Sequence, residues 1–517
     1  MTATDRGGTH NSMPDRLTTD HGTPVADNRN SLTAGRRGPV LLADHQLVEK
    51  LAHLNRERIP ERVVGARGTA AFGFFQPVDG LERYTKAGVF ADNRATPVAV
   101  RFSTFTHSRH TPETLRDLRG FAVKFYTPEG NYDLVCGSLP VFFIRDGMRF
   151  PDLVHALKPD PAAGLPSSDR TFDFFSLLPE STHALVWLYS DHGIPKGYRH
   201  MPAYSVSAYM WINARGDARY VKYHWRPSLG AEHFSADEAR TLQGRDVNHA
   251  TRDLSTALRG GSTVEYDLLV QIMEPEEQQE LRVDALDATI MWPQERWPLV
   301  PAGHLILNRA PLNDFAESEQ LAFSASTLVP GIELSADRLL QPRAFAYPDA
   351  QRHRLGVNHA QLAVNRPRIG VHTYNQDGSM VLEFTGSSVN YEPSASGEYA
   401  PTGEAQSWSL PVEGSVTREP IDAVDDFAQA GETWRGFTAP MRLSVIRNLG
   451  DELATVKNQK TVEAICAHLK QADALLGDAV LRRAQGRLDD LTAIEAQLSP
   501  PAEPSSETPA APGTTTD

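Results

Sequence analysis

The chain has 517 residues, of which 40% are hydrophobic and 22% are charged, a composition typical of a globular protein with a large core. Its formal net charge of −14 argues against nonspecific nucleic-acid binding, which requires a basic surface. No stretch approaches about 18 apolar residues and the N-terminus has no signal-peptide core, so we expect a cytoplasmic protein without a membrane partner.

The N-terminal part of the chain has little regular pattern. Residues 1–16 are polar and are predicted to be a disordered tail, and residues 17–42 are punctuated by glycine and proline. The segment from Asp44 to Arg58 is predicted to be a helix, because apolar residues recur at helical spacing at Leu47, Val48, Leu51 and Leu54.

The central part of the chain predicts an antiparallel sheet closed into a barrel. Short runs rich in β-branched and aromatic residues are predicted as strands, namely Val98–Ser103, Phe121–Tyr126, Val141–Ile144, Tyr204–Ile212, Arg219–His224, Val264–Met273 and His304–Asn308. Residues 360–435 have little periodicity, and helical patterning returns from Phe427 to Gln497. Residues 500–517 are predicted to be a disordered tail.

The stretch 342–356 has the spacing of a metal-ligand site. Arg343 and Tyr347 are four residues apart, so in a helix they share one face. A neighbouring cation favours the phenolate form of a tyrosine, and phenolate is a known ligand of haem iron. The same spacing also fits an ordinary half-buried tyrosine beside a surface arginine. Pro348 predicts a helix start or a kink at this point.

The sequence RAFAYPDAQRHRLG at 343–356 resembles the proximal signature of the monofunctional haem catalases, and the resemblance, to the small-subunit type, runs from about Leu17 to about Gln485. It implies an α+β catalase fold with a central antiparallel eight-stranded barrel, and ferric haem b as the cofactor. Tyr347 would be the axial metal ligand, Arg343 its charge partner, and Arg354 a contact to a haem propionate. A scaffold that has lost the cofactor is the alternative.

The resemblance also implies how the chain is divided and assembled. The expected parts are a tail (1–16), an N-terminal arm and helix (17–58), a haem-binding barrel domain (59–340), the proximal helix with a wrapping segment (341–435), a C-terminal helical domain (436–499) and a second tail (500–517). An arm of this kind threads through a neighbouring subunit in catalases, which implies a homotetramer.

Further haem contacts follow from the resemblance of RERIPERVVGARGTAAFGFF at 56–75 and VRFST at 100–104 to family segments. Arg62 and Arg101 match propionate-binding arginines, and Val64 matches a residue packed on the haem face. The remaining expected cofactor contacts are Phe142, Phe150 and Phe323.

The distal side departs from the family pattern. Gly65 stands where catalases place their essential histidine, and within NYDLVCGSLPVFFIRD at 131–146 Gly137 stands where they place an asparagine. Ser103, which in catalases supports that histidine, is retained. Loss of a positioned general acid–base costs on the order of 10²–10⁴-fold, so fast dismutation of hydrogen peroxide is not expected.

Three other residues near this departure have alternative interpretations. His107 and His110 are candidate substitute bases or solvated loop histidines, and Cys136 is an iron ligand or simply a small buried residue. Phe105 stands where catalases carry a small aliphatic residue on the access channel.

Bound NADPH is not expected. His192 and Pro202 stand where NADPH-binding catalases carry arginine and asparagine, although His183 and Arg226 could still contribute to such a site.

Three functions remain open at the level of sequence. The first is a catalase-type oxidoreductase acting on hydrogen peroxide or an organic hydroperoxide. The second is a haem-dependent lyase, isomerase or oxidase acting on an organic substrate in an enlarged distal pocket. The third is a non-catalytic haem-binding pseudoenzyme.

Overall fold

The computed structural model describes residues 16–498, except for 57–60, 281–283, 383–387, 397–400, 402–411, 413, 422–424 and 489–490. The two predicted tails therefore lie outside the described residues, apart from residue 16. No helix in the described part of the chain is long and apolar enough to cross a membrane.

The strands are β1 (Thr33–Ala34), β2 (Gly68–Pro77), β3 (Thr96–Thr104), β4 (Arg119–Thr127), β5 (Gly130–Gly137), β6 (Ala203–Tyr204), β7 (Tyr209–Ile212), β8 (Ala218–Pro227), β9 (Val264–Met273), β10 (Val300–Arg309), β11 (Ile332–Leu334) and β12 (Val416–Thr417).

The helices are α1 (His45–Asn55), α2 (Gly88–Ala91), α3 (Phe150–Leu157), α4 (Ser168–Ser176), α5 (Thr182–Tyr189), α6 (Ala236–Gln243), α7 (His249–Arg259), α8 (Leu340–Leu355), α9 (Ala428–Gly436), α10 (Ala439–Leu453), α11 (Gln459–Ala472), α12 (Ala474–Ala484) and α13 (Thr492–Leu498).

A closed antiparallel barrel forms the centre of the molecule and confirms the predicted α+β fold. Around the barrel the order is β2, β3, β4, β5, β6, β8, β9 and β10, and β10 pairs with β2 to close the circle. Like β6, the strand β7 pairs with β8, but at the other end of β8. β11 then pairs with β7 and extends the sheet. Every second residue of each strand points into the barrel, where large aromatic side chains such as Phe102, Phe121 and Trp225 fill the core.

The predicted run Tyr204–Ile212 contains a break. Ser205 Oγ accepts a hydrogen bond from Tyr223 N at 3.0 Å and donates one to Ser207 O at 2.9 Å. These side-chain bonds compete with the strand ladder, and Val206 between the two serines adopts a φ of 51°. The break separates β6 from β7.

The predicted strand Val141–Ile144 is wrong. The segment is irregular although all four residues are buried, and Phe142 N donates to Ala288 O at 2.8 Å. An apolar run that is covered on all sides does not by itself distinguish a strand from a buried loop. Conversely, β2 and β5 were missed, since both are rich in small residues.

The N-terminal helix is shorter than predicted. Asp44 caps α1 by accepting a hydrogen bond from Leu47 N at 3.3 Å, and α1 ends at Asn55, just before the gap at 57–60. The preceding arm is attached to the rest of the chain by the β1–β12 pair and by Arg418, which donates to Asp44 Oδ1 at 2.7 Å.

The predicted C-terminal helical patterning is confirmed by α9 to α13. Their apolar faces pack with α4 and α5 into a second core, which contains Trp434, Ile465 and Leu476. Most of the described part of 360–427 is irregular, in agreement with its lack of periodicity. The domain boundaries as such stay a prediction.

Candidate functional site

A large cavity lies between the outer face of the barrel and the helices α1, α3 and α8. Its empty volume is about 1460 Å³, including the part that is open to solvent. Strands β3 to β5 form one wall, and α8 forms the other. The cavity brings together all of the predicted site residues except His107 and His110.

Helix α8 carries Tyr347 into the cavity. Asp337 stabilises the start of the helix by accepting hydrogen bonds from Leu339 N at 2.7 Å and Leu340 N at 3.1 Å. The predicted contact is present, since Arg343 Nη2 lies 3.4 Å from Tyr347 Oη. Pro348 lies inside the helix rather than at its start, which the sequence left open.

Arg343 is held in place from the barrel side. Its Nη2 donates to Val135 O of β5 at 3.1 Å. Burial by itself would lower the pKa of Arg343, but the phenols of Tyr347 and Tyr209 raise it above its ordinary value. The guanidinium therefore stays charged beside Tyr347, as a ligand phenolate requires.

Three arginines gather at one edge of the cavity. Arg62 donates to Ser318 O and Leu321 O, both at 2.8 Å, and Arg354 donates to Leu321 O at 3.2 Å. Arg101, on the outer face of β3, donates to Gly65 O at 2.7 Å. The only acidic side chain that forms a described salt bridge with any of the three is Glu319, at 3.5 Å from Arg62.

The positive charge of this cluster is not balanced. Burial lowers the pKa of Arg62 well below its usual range, and repulsion by Arg101 and Arg354 lowers it further. Burial and repulsion by Arg101 likewise lower the pKa of Arg354 to about 10. A buried ligand with two carboxylates would relieve this repulsion.

The cavity therefore fits a haem. The arginine cluster matches its two propionates, Tyr347 offers a phenol oxygen as the iron ligand, and apolar side chains line the space between them. Val64 and Phe323, both predicted as haem contacts, are among the side chains that line the cavity. When bound, haem iron would supply the redox chemistry.

One row of the barrel wall facing this space carries almost no side chains. Four residues are in register across neighbouring strands, in the order Gly68, Ser103, Gly120 and Gly137. Ser103 carries the single side chain of this row. Gly65, next to the row, has a φ of +71°, a conformation that L side chains rarely adopt.

Three phenylalanine rings form the apolar part of the wall. Phe105 lies 6.1 Å from Phe142 and 6.3 Å from Phe150, measured between ring centroids. The backbone of Phe105 is fixed at both ends, because its amide donates to Asp117 Oδ2 at 2.8 Å and its carbonyl accepts from Gly65 N at 2.7 Å.

The two candidate histidines do not line the cavity. His107 is half-buried, with Nε2 3.8 Å from Asp117 Oδ2, and His110 is exposed. No imidazole is present among the described residues that line the cavity. Cys136 does line it, but burial raises the pKa of its thiol to about 12, which disfavours a thiolate ligand.

The residues considered for NADPH differ in burial and in their contacts. His192 packs between Trp187 and His233, with ring centroids 4.9 Å and 4.2 Å away. His183 is buried and contacts Thr433 Oγ1 at 2.8 Å. Pro202 is half-buried, and Arg226 is largely exposed and pairs with Asp267 at 3.0 Å.

Sequence reasoning missed Glu319, Asp117 and Gly120 as members of the site. Glu319 lies in a short π-helix, Phe315–Glu319, whose carbonyl groups bind Arg62 and Arg354. None of the three residues carries a local pattern that separates it from ordinary loop or strand residues, so only their spatial neighbours reveal them.

Comparisons with known proteins agree with this architecture. Residues 18–398 match the family model described as Catalase, and residues 420–483 match the one described as Catalase-related immune-responsive. The chain is 44% identical to a catalase of Vibrio cholerae, over 93% of this chain and 95% of the relative. It is 45% identical to catalase isozyme 2 of Gossypium hirsutum, over 90% of this chain and 95% of that protein.

A solved structure described as that of a bacterial catalase superimposes with a TM-score of 0.79 at 36% identity, covering 93% of this chain and 98% of that one. The chain therefore belongs to the catalase family and is an enzyme of the catalase type.

Proposed function

We propose that this chain is a haem-dependent oxidoreductase that acts on a peroxide and turns over hydrogen peroxide slowly. The observation that carries the proposal is the pairing of Tyr347 with Arg343 on one wall of a cavity whose edge holds the unbalanced cluster of Arg62, Arg101 and Arg354. The slow turnover follows from Gly65 and Gly137, which leave the distal wall without a general acid–base.

The roles of the individual residues follow from their positions. Tyr347 ligates ferric haem b, and Arg343 is the charge partner of its phenol oxygen. The three arginines bind the propionates, and Val64, Phe142, Phe150 and Phe323 pack against the haem. His107 and His110 receive no catalytic role, since neither lines the cavity.

The first test is dioxygen release from hydrogen peroxide, measured per bound haem on the purified full-length protein. We expect rates at least about 10²-fold below those of a catalase with the distal histidine, measured in parallel. Equal rates would contradict the diverged distal side. Haem content well below one per chain after reconstitution would contradict the haem assignment.

A second candidate function is conversion of an organic substrate, such as an apolar hydroperoxide. The observation that favours it is the apolar wall of Phe105, Phe142 and Phe150 beside two glycines. Comparing cumene hydroperoxide with hydrogen peroxide by steady-state kcat/KM distinguishes the two candidates. A full-haem protein that converts neither would instead be a pseudoenzyme.

We further propose a homotetramer in the cytoplasm that requires no NADPH. Cys136 and Cys466 are free and buried, which suits a reducing compartment. Residues 16–24 of the arm are mostly exposed, which leaves them available for contact with a second copy. Light scattering of the purified protein tests the tetramer.

A further inference from the structure

The geometry points to a new role for Ser103: we propose that its hydroxyl donates a hydrogen bond to the ligand on the distal side of the haem, in place of side chains at positions 65 and 137. This inference rests on the proposed haem function. The apolar rings of Phe105 and Phe142 beside Ser103 leave room for an apolar substituent on that ligand.

The Ser103 hydroxyl is available for such a bond. Ser103 is 6% exposed, lines the cavity, and its hydroxyl has no hydrogen-bond partner among the described residues. The Ser103 oxygen is not sealed off from the cavity, so a ligand bound there can reach it.

The neighbouring glycines form a niche for this hydroxyl. A Cβ atom at Gly65 would lie 2.9 Å from Ser103 Oγ, and one at Gly120 would lie 2.5 Å from it. Gly68 and Gly120 flank Ser103 in register on the two adjacent strands. The absence of side chains around Ser103 thus leaves its hydroxyl as the polar group that projects from this row of the wall.

The chemistry of a lone hydroxyl limits the substrate. Serine donates and accepts hydrogen bonds, but without an adjacent base it is a poor proton acceptor. Among the described residues that line the cavity there is no imidazole, and Glu61 carries the only carboxylate. Ser103 can therefore orient an oxygen ligand without moving its proton, and Phe105 with Phe142 leaves apolar space for a substituent.

The test uses two ligands of the ferric haem-loaded protein that differ in hydrogen bonding. Fluoride accepts a hydrogen bond, whereas the iron-bound nitrogen of imidazole has no acceptor left. Both dissociation constants are obtained from optical titrations of wild type and Ser103→Ala. We expect fluoride binding to weaken about 10- to 100-fold in Ser103→Ala, as for loss of a hydrogen bond to a charged acceptor, while imidazole binding changes less than about threefold.

Thr104→Val is the matched control. Thr104 is 1% exposed, follows Ser103 on β3, has an unpartnered buried hydroxyl, and does not line the cavity. We expect its fluoride affinity to equal that of wild type.

Two results would overturn the inference: unchanged fluoride affinity in Ser103→Ala, or an equal loss for fluoride and imidazole, which indicates a structural role. If Ser103→Ala does not retain haem, the titrations are repeated with Ser103→Cys, whose thiol is a weaker hydrogen-bond donor. A fluoride affinity of Ser103→Cys equal to that of the wild type would then overturn the inference. Wild type without haem would refute the proposed function as well, so haem content separates the two failures.

Discussion

The phenol of Tyr347 and the guanidinium of Arg343 lie 3.4 Å apart, one turn apart on the helix that forms one wall of the cavity. Arg343 is in turn bound to the barrel through Val135 O. The helix and the barrel therefore jointly set the position of the proposed iron ligand. This relationship leads to the first prediction.

Replacing Tyr347 with phenylalanine is expected to weaken haem binding. Loss of outer-shell partners of metal ligands already costs about 10–100-fold in affinity, and loss of the ligand itself should cost at least as much. The measurement is haem per chain after reconstitution and gel filtration. Tyr209→Phe is the control, because Tyr209 is a buried phenol beside the same arginine whose hydroxyl has no partner. Equal haem retention in both variants would refute Tyr347 as the ligand.

Replacing Arg354 with methionine is expected to weaken haem binding about 10- to 100-fold, because a charge-assisted hydrogen bond to a propionate is lost. Arg352→Met is the control on the same helix, since Arg352 is exposed. Haem affinity is measured by competition with apomyoglobin. If both variants bind haem equally well, Arg354 does not contact a propionate.

Restoring a side chain at position 65 is expected to destabilise the protein. Gly65→Ala requires a left-handed backbone for a residue with a Cβ, which costs about 1–3 kcal/mol, and brings that atom against Ser103. Gly80→Ala isolates the backbone cost, because Gly80 has a φ of +92° and no atom within 4 Å of its added Cβ. Urea unfolding of both variants and of the wild type measures their free energies of unfolding. Greater stability of Gly65→Ala than of wild type would show that the glycine is not structurally required.

A single Gly65→His substitution is therefore not expected to restore fast dismutation. The strained left-handed backbone at position 65 opposes the orientation that a distal base needs. Oxygen release per haem is the measurement, with a histidine-containing catalase as the reference. A rise of about 10²-fold or more in Gly65→His would contradict this expectation.

Stability is expected to fall at acid pH, and the His192–His233 pair is one of its causes. Burial lowers the pKa of His192 to about 3 and that of His233 to about 4, so both are neutral in the folded protein. In the unfolded chain a histidine takes up a proton near pH 6.5. The unfolded state therefore binds more protons below that pH, and the stability present above pH 6.5 is lost progressively as the pH falls towards 4.

His192→Phe should reduce this loss, since phenylalanine keeps the aromatic packing on Trp187 and Phe437 without a group to protonate. The melting temperature of each variant is measured from pH 7.5 to 4.5. His110→Gln, at an exposed position, should follow the wild-type curve. If the melting temperature of His192→Phe falls with pH as steeply as that of the wild type, this pair does not cause the loss.

Local sequence by itself determined those features that depend on short-range spacing. The Arg343–Tyr347 contact follows from the four-residue period of a helix, and β3, β4 and β9 follow from runs of β-branched and aromatic residues. The family resemblance added Arg62, Arg101 and Arg354, which are far apart in the chain and which no local pattern joins.

Only the tertiary structure decided the character of the distal wall. The sequence showed glycine at positions 65 and 137, but strand register placed Ser103 between Gly68 and Gly120, and register depends on pairing between distant segments. Likewise, Val141–Ile144 is apolar because it is covered on all sides, not because it pairs as a strand. A sequence specifies spacing along one element, whereas the approach of separate elements depends on how the whole core packs.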